Sequence, residues 1–183
     1  MLVLAGFTAV VIIAIAALAV LSTAGGPSGG NFTPNDAGLI PVGERAPSFT
    51  AETVDGGSVS VGEGGQGGAR ATMLVFFASW CPHCNNEAPI ISDLEDQYED
   101  LQLVMVGIDN TQGDSPEKVR EFVERYDIES PTVYDPSLGP EYRVSGYPTV
   151  YVLDRNNEVV GATSGEAPRE AYQDWIEKAL GGG

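Results

Sequence analysis

Two cysteines occur in the 183 residues, Cys81 and Cys84, with Pro82 and His83 between them. Thiols at that spacing can close a structural disulfide, supply half of a metal site, or exchange disulfides with another molecule. A tetrahedral zinc site needs four ligands, and His83 is the chain's single histidine, so no metal is expected. A disulfide that only stabilises gains from closing a long loop, and this one would close almost none. Redox exchange is therefore favoured over both.

Exchange requires one sulfur to become a thiolate, and the flanking elements decide which. Ala71 to Ala78 is an apolar run broken only by Thr72, of strand length and suited to burial on both faces. From Pro82 to about Tyr98, Ala88, Ile91, Leu94 and Tyr98 recur at helical spacing. A strand thus runs into a helix through the cysteine pair, and Cys81 falls at the helix N-terminus, where the dipole and free amide groups favour an anion. Cys81 is the expected nucleophile; Cys84, one turn in and less exposed, is the expected resolving thiol. A protonated His83 would add positive charge near Cys81, favour the reduced form and make the disulfide more oxidising. The plainer alternative for His83 is a solvated loop residue.

The remaining elements frame this unit. Ser58 to Val61 alternates and suits an edge strand, and Gly62 to Gly68 suits a surface loop. Leu101 to Ile108 is a second apolar strand, and Ser115 caps a helix with Pro116 at its first position, running to about Tyr126. Thr149 to Leu153 and Glu158 to Ala162 make a hairpin through the turn Asp154 to Asn157. A last helix from about Pro168 to Leu180 buries Tyr172, Trp175, Ile176 and Ala179. The order implies an α/β domain with a mixed central sheet covered by helices on both faces.

Residues 1–23 hold the uncharged run Leu2 to Leu21, long enough to cross a bilayer as a helix, with a cleaved signal peptide as the alternative. Residues 24–41, rich in Gly, Ser, Pro and Asn, suit a flexible linker, which leaves 42–183 as the folded domain. With a net charge of −17, the chain would repel phosphate backbones, so nucleic acid is not an expected partner.

Trp80-Cys81-Pro82-His83-Cys84 is followed by Glu87 and Pro89 and, further on, by Gly146-Tyr147-Pro148-Thr149. With Gly43-Glu44-Arg45-Ala46-Pro47-Ser48-Phe49 at the start of the domain, these motifs resemble the TlpA-like family of thioredoxin-fold proteins, which includes the ResA-like proteins. The resemblance covers about Val42 to Leu180. It implies a thioredoxin-like fold, a single-pass membrane anchor, and a domain outside the cytosol that exchanges disulfides with protein substrates. It also implies a membrane redox partner that recycles the pair, often in cytochrome c maturation, and no cofactor.

Within the resemblance, Trp80, Pro82 and His83 flank and modulate the cysteines. Pro148 matches a cis-proline beside the pair, which would leave the Tyr147 backbone to meet an extended substrate. Glu87 matches an acid near the cysteines, a candidate proton carrier whose rival reading is a solvated helix glutamate. Val75 stands where thioredoxins proper keep a buried acid. The Pro82-His83 dipeptide departs from the reducing members and resembles DsbA-type oxidants, so the direction of electron flow stays open. A peroxide-reducing thiol peroxidase is the nearest rival activity, and Cu(I) delivery through the two thiolates is a rival of another class.

Overall fold

The computed structural model describes residues 32–62 and 68–181. The central strand β3 (Ala71–Phe77) is buried along its whole length, as its apolar run requires. It pairs in parallel with β4 (Leu101–Gly107) and antiparallel with β6 (Thr149–Asp154). With β5 (Thr132–Tyr134) and β7 (Val159–Ser164) at the edges, the sheet order is β5-β4-β3-β6-β7. Helix α1 (Pro82–Gln97) joins β3 to β4, α2 (Pro116–Arg125) joins β4 to β5, the short α3 (Leu138–Glu141) leads to β6, and α4 (Arg169–Gly181) follows β7. The mixed sheet and the β6–β7 hairpin agree with the sequence reading. The alternating run Ser58–Val61 is a strand, β2, but it pairs with β1 (Phe49–Glu52) in a separate two-stranded sheet instead of edging the main one.

Alternation along β3 divides the core in two. Met73, Val75 and Phe77 face a cluster with Ala88, Ile91 and Leu94 of α1, Val119 and Phe122 of α2, and Tyr172 and Ile176 of α4. Leu74 and Phe76 face Leu39, Ile40, Val59, Val61, Leu138 and Tyr142. The three long helices therefore share one face, so of the helices expected on both faces only the short α3 covers the other. The other face is closed by β2, residues 39–46 and the short α3. Right-handed crossovers explain this: β3, β4 and β5 step in one direction across the sheet, so both connecting helices must fall on the same side.

The compact unit begins at Phe32, earlier than the sequence boundary at Val42. The Phe32 ring lies 6.3 Å from that of Trp175, Leu39 and Ile40 are buried, and the Asn35 carbonyl accepts the Ser164 amide at 2.8 Å. Apolar side chains at 32, 39 and 40 hold this stretch down despite its linker-like composition. The expected span over residues 1–23 and the first part of the linker lie outside the described residues. Among the described residues, no helix is long and apolar enough to cross a membrane.

Close packing leaves no room for a side chain at one position of β7. A Cβ on Gly161, in β7, would stand 2.2 Å from Trp175 Cδ2. Gly161→Ala is expected to lower stability by about 2 kcal/mol, the scale of an overpacked core, read as a lower denaturant midpoint at unchanged slope.

Candidate active site

The active site is built where β3 runs into α1. Phe77 ends the strand, the Cys81 amide turns back to the Ala78 carbonyl at 3.1 Å, and Cys81 becomes the N-cap of α1 with Pro82 in its first turn. Its extended backbone (φ −71°, ψ 120°) lets Sγ accept the Cys84 amide at 3.4 Å, as a capping side chain does. Asn85 braces the turn from inside: its Nδ2 donates to the Cys81 carbonyl at 2.7 Å, and its Oδ1 accepts the Tyr126 hydroxyl at 2.8 Å. Both cysteines are free thiols. Their exposures are nearly equal, 4% for Cys81 and 3% for Cys84, so the expected contrast in access is absent. Position distinguishes them instead: Cys81 holds the cap, while burial and then its contact with Cys81 push the Cys84 thiol far above the ordinary range.

The Tyr147–Pro148 peptide is cis, as expected, and lies against the pair. The Cys81 Sγ donates to the Tyr147 carbonyl at 3.6 Å, so in this thiol form the carbonyl is already engaged. Trp80 is 40% exposed, one of the two large apolar side chains at the surface among the described residues, and meets the Tyr147 ring edge-on at 6.0 Å. Its indole N–H donates to Asp109 Oδ2 at 3.0 Å. Asp109 also accepts the Thr111 hydroxyl and the Gln112 amide. Burial pushes its carboxyl up, but these bonds outweigh burial and hold it below the usual range. Asp114 accepts the Ser79 amide at 3.0 Å and the Ser79 hydroxyl. The loop after β4 thus fixes the residues that lead into the cysteines.

Glu87 is 2% exposed, which overturns the reading of a solvated helix glutamate. Its Oε1 accepts the Tyr172 hydroxyl and the Ala167 amide, while Oε2 has no hydrogen-bond partner among the described residues. Burial raises its pKa to about 7, and the Tyr172 and Ala167 bonds oppose that rise. A buried carboxyl with one oxygen doubly bonded and the other free can hold a proton on the free one near neutral pH. Removing a donor leaves burial less opposed, so Tyr172→Phe is expected to move the Glu87 titration upward, measured by carbon NMR of the labelled carboxyl. An unmoved titration would mean that the tyrosine does not tune this group.

His83 is an exposed side chain in the first turn of α1. Its Nδ1 lies 2.5 Å from Glu166 Oε1 in the loop between β7 and α4, so it is neither a lone charge nor a purely solvated side chain. Pro82 is exposed in the first turn of α1. Among the described residues, no group of three or more His, Cys, Asp or Glu side chains comes together to hold a metal ion. The sequence reading missed Asn85, Asp109, Asp114 and Glu166, and took Tyr172 only as core. The two aspartates follow the carboxyl end of β4, a usual place for site residues in such sheets, whereas Glu166 had no local signal.

A Cys-x-x-Cys pair capping the helix after the central strand of a thioredoxin-like sheet, with a cis-proline against it, defines a thiol-disulfide oxidoreductase. The chain belongs to the AhpC/TSA family, matched over residues 42–162, and within it to the ResA-like thioredoxin-fold enzymes. It is 32% identical over 122 residues to the thioredoxin-like protein YneN of Bacillus subtilis, covering 66% of this chain and 69% of that one. It is 25% identical over 151 residues to the thiol-disulfide oxidoreductase ResA of Bacillus thuringiensis, covering 81% and 83%. Among solved structures, a putative thiol:disulfide interchange protein DsbE of Chlorobium tepidum superposes with a TM-score of 0.63 at 26% identity, covering 77% of this chain and 99% of that one. StoA of Bacillus subtilis superposes with a TM-score of 0.59 at 26% identity, covering 70% and 96%.

Proposed function

We propose that the chain exchanges disulfides with protein substrates on the extracytoplasmic side of a membrane to which residues 1–23 tether it. The Cys81 thiolate attacks a substrate disulfide, forming a Cys81–substrate disulfide and releasing one substrate sulfur, which takes up a proton. Cys84 then loses its proton and attacks Cys81 Sγ. The Cys81–Cys84 disulfide forms, the second substrate sulfur leaves as a thiol, and the two electrons have passed from the pair to the substrate. The reverse sequence oxidises a substrate dithiol. Glu87 receives the Cys84 proton: both groups are buried, and the charge of one raises the pKa of the other. Trp80, Pro82, Tyr147 and Pro148 form the surface against which an extended substrate segment lies.

The observation that carries this reading is the Cys81 sulfur at the cap, accepting the Cys84 amide, with a proton-holding carboxyl behind the second thiol. Cytochrome c maturation is the proposed setting, with a membrane dithiol–disulfide protein recycling the pair; both come from the family resemblance alone. The test is reduction of a disulfide-linked peptide by the full chain in detergent. Turnover that disappears in Cys81→Ser is expected, and an inert wild-type chain would refute the activity. Protease added outside intact cells should remove the domain; protection of the domain would refute the placement.

A further inference from the structure

Three consecutive residues between β7 and α4 touch three different parts of the site. The Gly165 amide, placed by a φ of 98° that favours glycine, donates to the Pro148 carbonyl at 2.7 Å. The Ala167 amide donates to Glu87. Between them, the Glu166 carboxylate accepts from the His83 ring at 2.5 Å and from Asn86 Nδ2 at 3.2 Å. Glu166 is thus held at a fixed place beside the first turn of α1 by the backbone on either side of it and by two side chains of that helix.

We propose that Glu166 is a positioning residue for disulfide exchange: it holds the His83 ring and offsets its charge, making the disulfide less oxidising than the bare Cys-Pro-His-Cys sequence implies. The proposal rests on the exchange reading above. An imidazolium between the cysteines favours the thiolate and so the reduced form, which is what makes a disulfide oxidising. A carboxylate in contact with that imidazolium brings the net charge of the two groups to zero. The His83 and Glu166 side chains are 68% and 40% exposed, so solvent screens the pair and the effect is modest. Other ionisable groups around this end of α1 are Glu87 and Tyr172 behind Cys84, and Asp109 and Asp114 behind Trp80 and Ser79. They are anchored by partners of their own and stay in place when Glu166 changes. Glu166 also raises the Glu87 pKa, so the test must separate a route through His83 from one through Glu87.

The experiment equilibrates the full chain in detergent with glutathione, following the reaction in which the Cys81–Cys84 disulfide and two glutathione thiols give two protein thiols and one glutathione disulfide. Glu166→Gln keeps the shape and removes the charge. At about pH 6 it should make the protein disulfide about threefold easier to reduce, roughly 14 mV more oxidising. In a His83→Ala background the effect of Glu166→Gln should be clearly reduced. An unchanged equilibrium at pH 6, or a shift that persists undiminished without His83, overturns the proposal. A wild-type pair that never equilibrates with glutathione overturns the exchange reading and this inference with it, whereas a pair that equilibrates but ignores Glu166 overturns the inference alone. Both side chains are exposed, so neither substitution threatens the fold.

Discussion

Cys84→Ser is expected to stop the reaction halfway, leaving a stable disulfide between Cys81 and the substrate. Cys81 holds the helix cap and accepts an amide hydrogen bond, so the first attack does not need the second thiol. Release does need it: with serine at 84 no group can attack Cys81 Sγ, and turnover should fall by at least about a thousandfold, the scale on which loss of a nucleophile acts. The trapped species should appear as a substrate-sized mass increase that a reductant removes. Cys81→Ser should lose turnover to the same degree and trap nothing, because burial, the largest cause of the raised Cys84 pKa, still holds that proton in place. Trapping through Cys84 in the Cys81→Ser variant would reverse the two roles.

Glu87→Gln should affect rate and stability in opposite directions. As acceptor of the Cys84 proton, Glu87 acts in the resolving step, and its loss should slow that step by about a hundredfold, the low end for general acid–base catalysis. The rise in rate through about pH 7 should also disappear from the pH profile. For stability, the folded chain raises the Glu87 pKa from the ordinary 4.5 to about 7. The fold therefore favours the protonated acid. Its contribution is fully present below about pH 4.5 and is lost as pH rises through about 7, a change of about 3 kcal/mol. Wild-type stability should decline across that window, while Glu87→Gln, which cannot ionise, should decline less and gain on the wild type by up to about 3 kcal/mol near pH 8.5. Denaturant unfolding at pH 5 and pH 8.5 measures it. A constant difference between variant and wild type at both pH values would show that Glu87 does not ionise in this range. This is the trade expected of a buried carboxyl kept for its proton.

The fit of Trp80, Asp109 and Tyr147 has a related meaning. Trp80 is exposed and apolar, yet its indole N–H is fixed by an acid whose other bonds lock the loop after β4. A large exposed ring held in one orientation can take up a substrate segment at little further entropic cost.

The sequence by itself determined the chemistry and the local frame around it. Two cysteines two residues apart, an apolar strand before them and an amphipathic helix after them place a sulfur at a helix start, because strand and helix periodicity are properties of neighbouring residues. The β6–β7 hairpin, the Ser115 cap and the apolar face of α4 were legible for the same reason. Tertiary structure alone decided what surrounds the pair. Glu87 reads as a polar helix residue until α4 brings Tyr172 over it, a contact across 85 residues of chain. Glu166 and His83 are likewise 83 residues apart, and their contact depends on where one loop ends relative to one helix. The side of the sheet that α2 covers and the docking of residues 32–41 also depend on strand order and distant partners. Burial and charge pairing, which tune the thiols, arise only when remote segments meet, and no local pattern encodes that meeting.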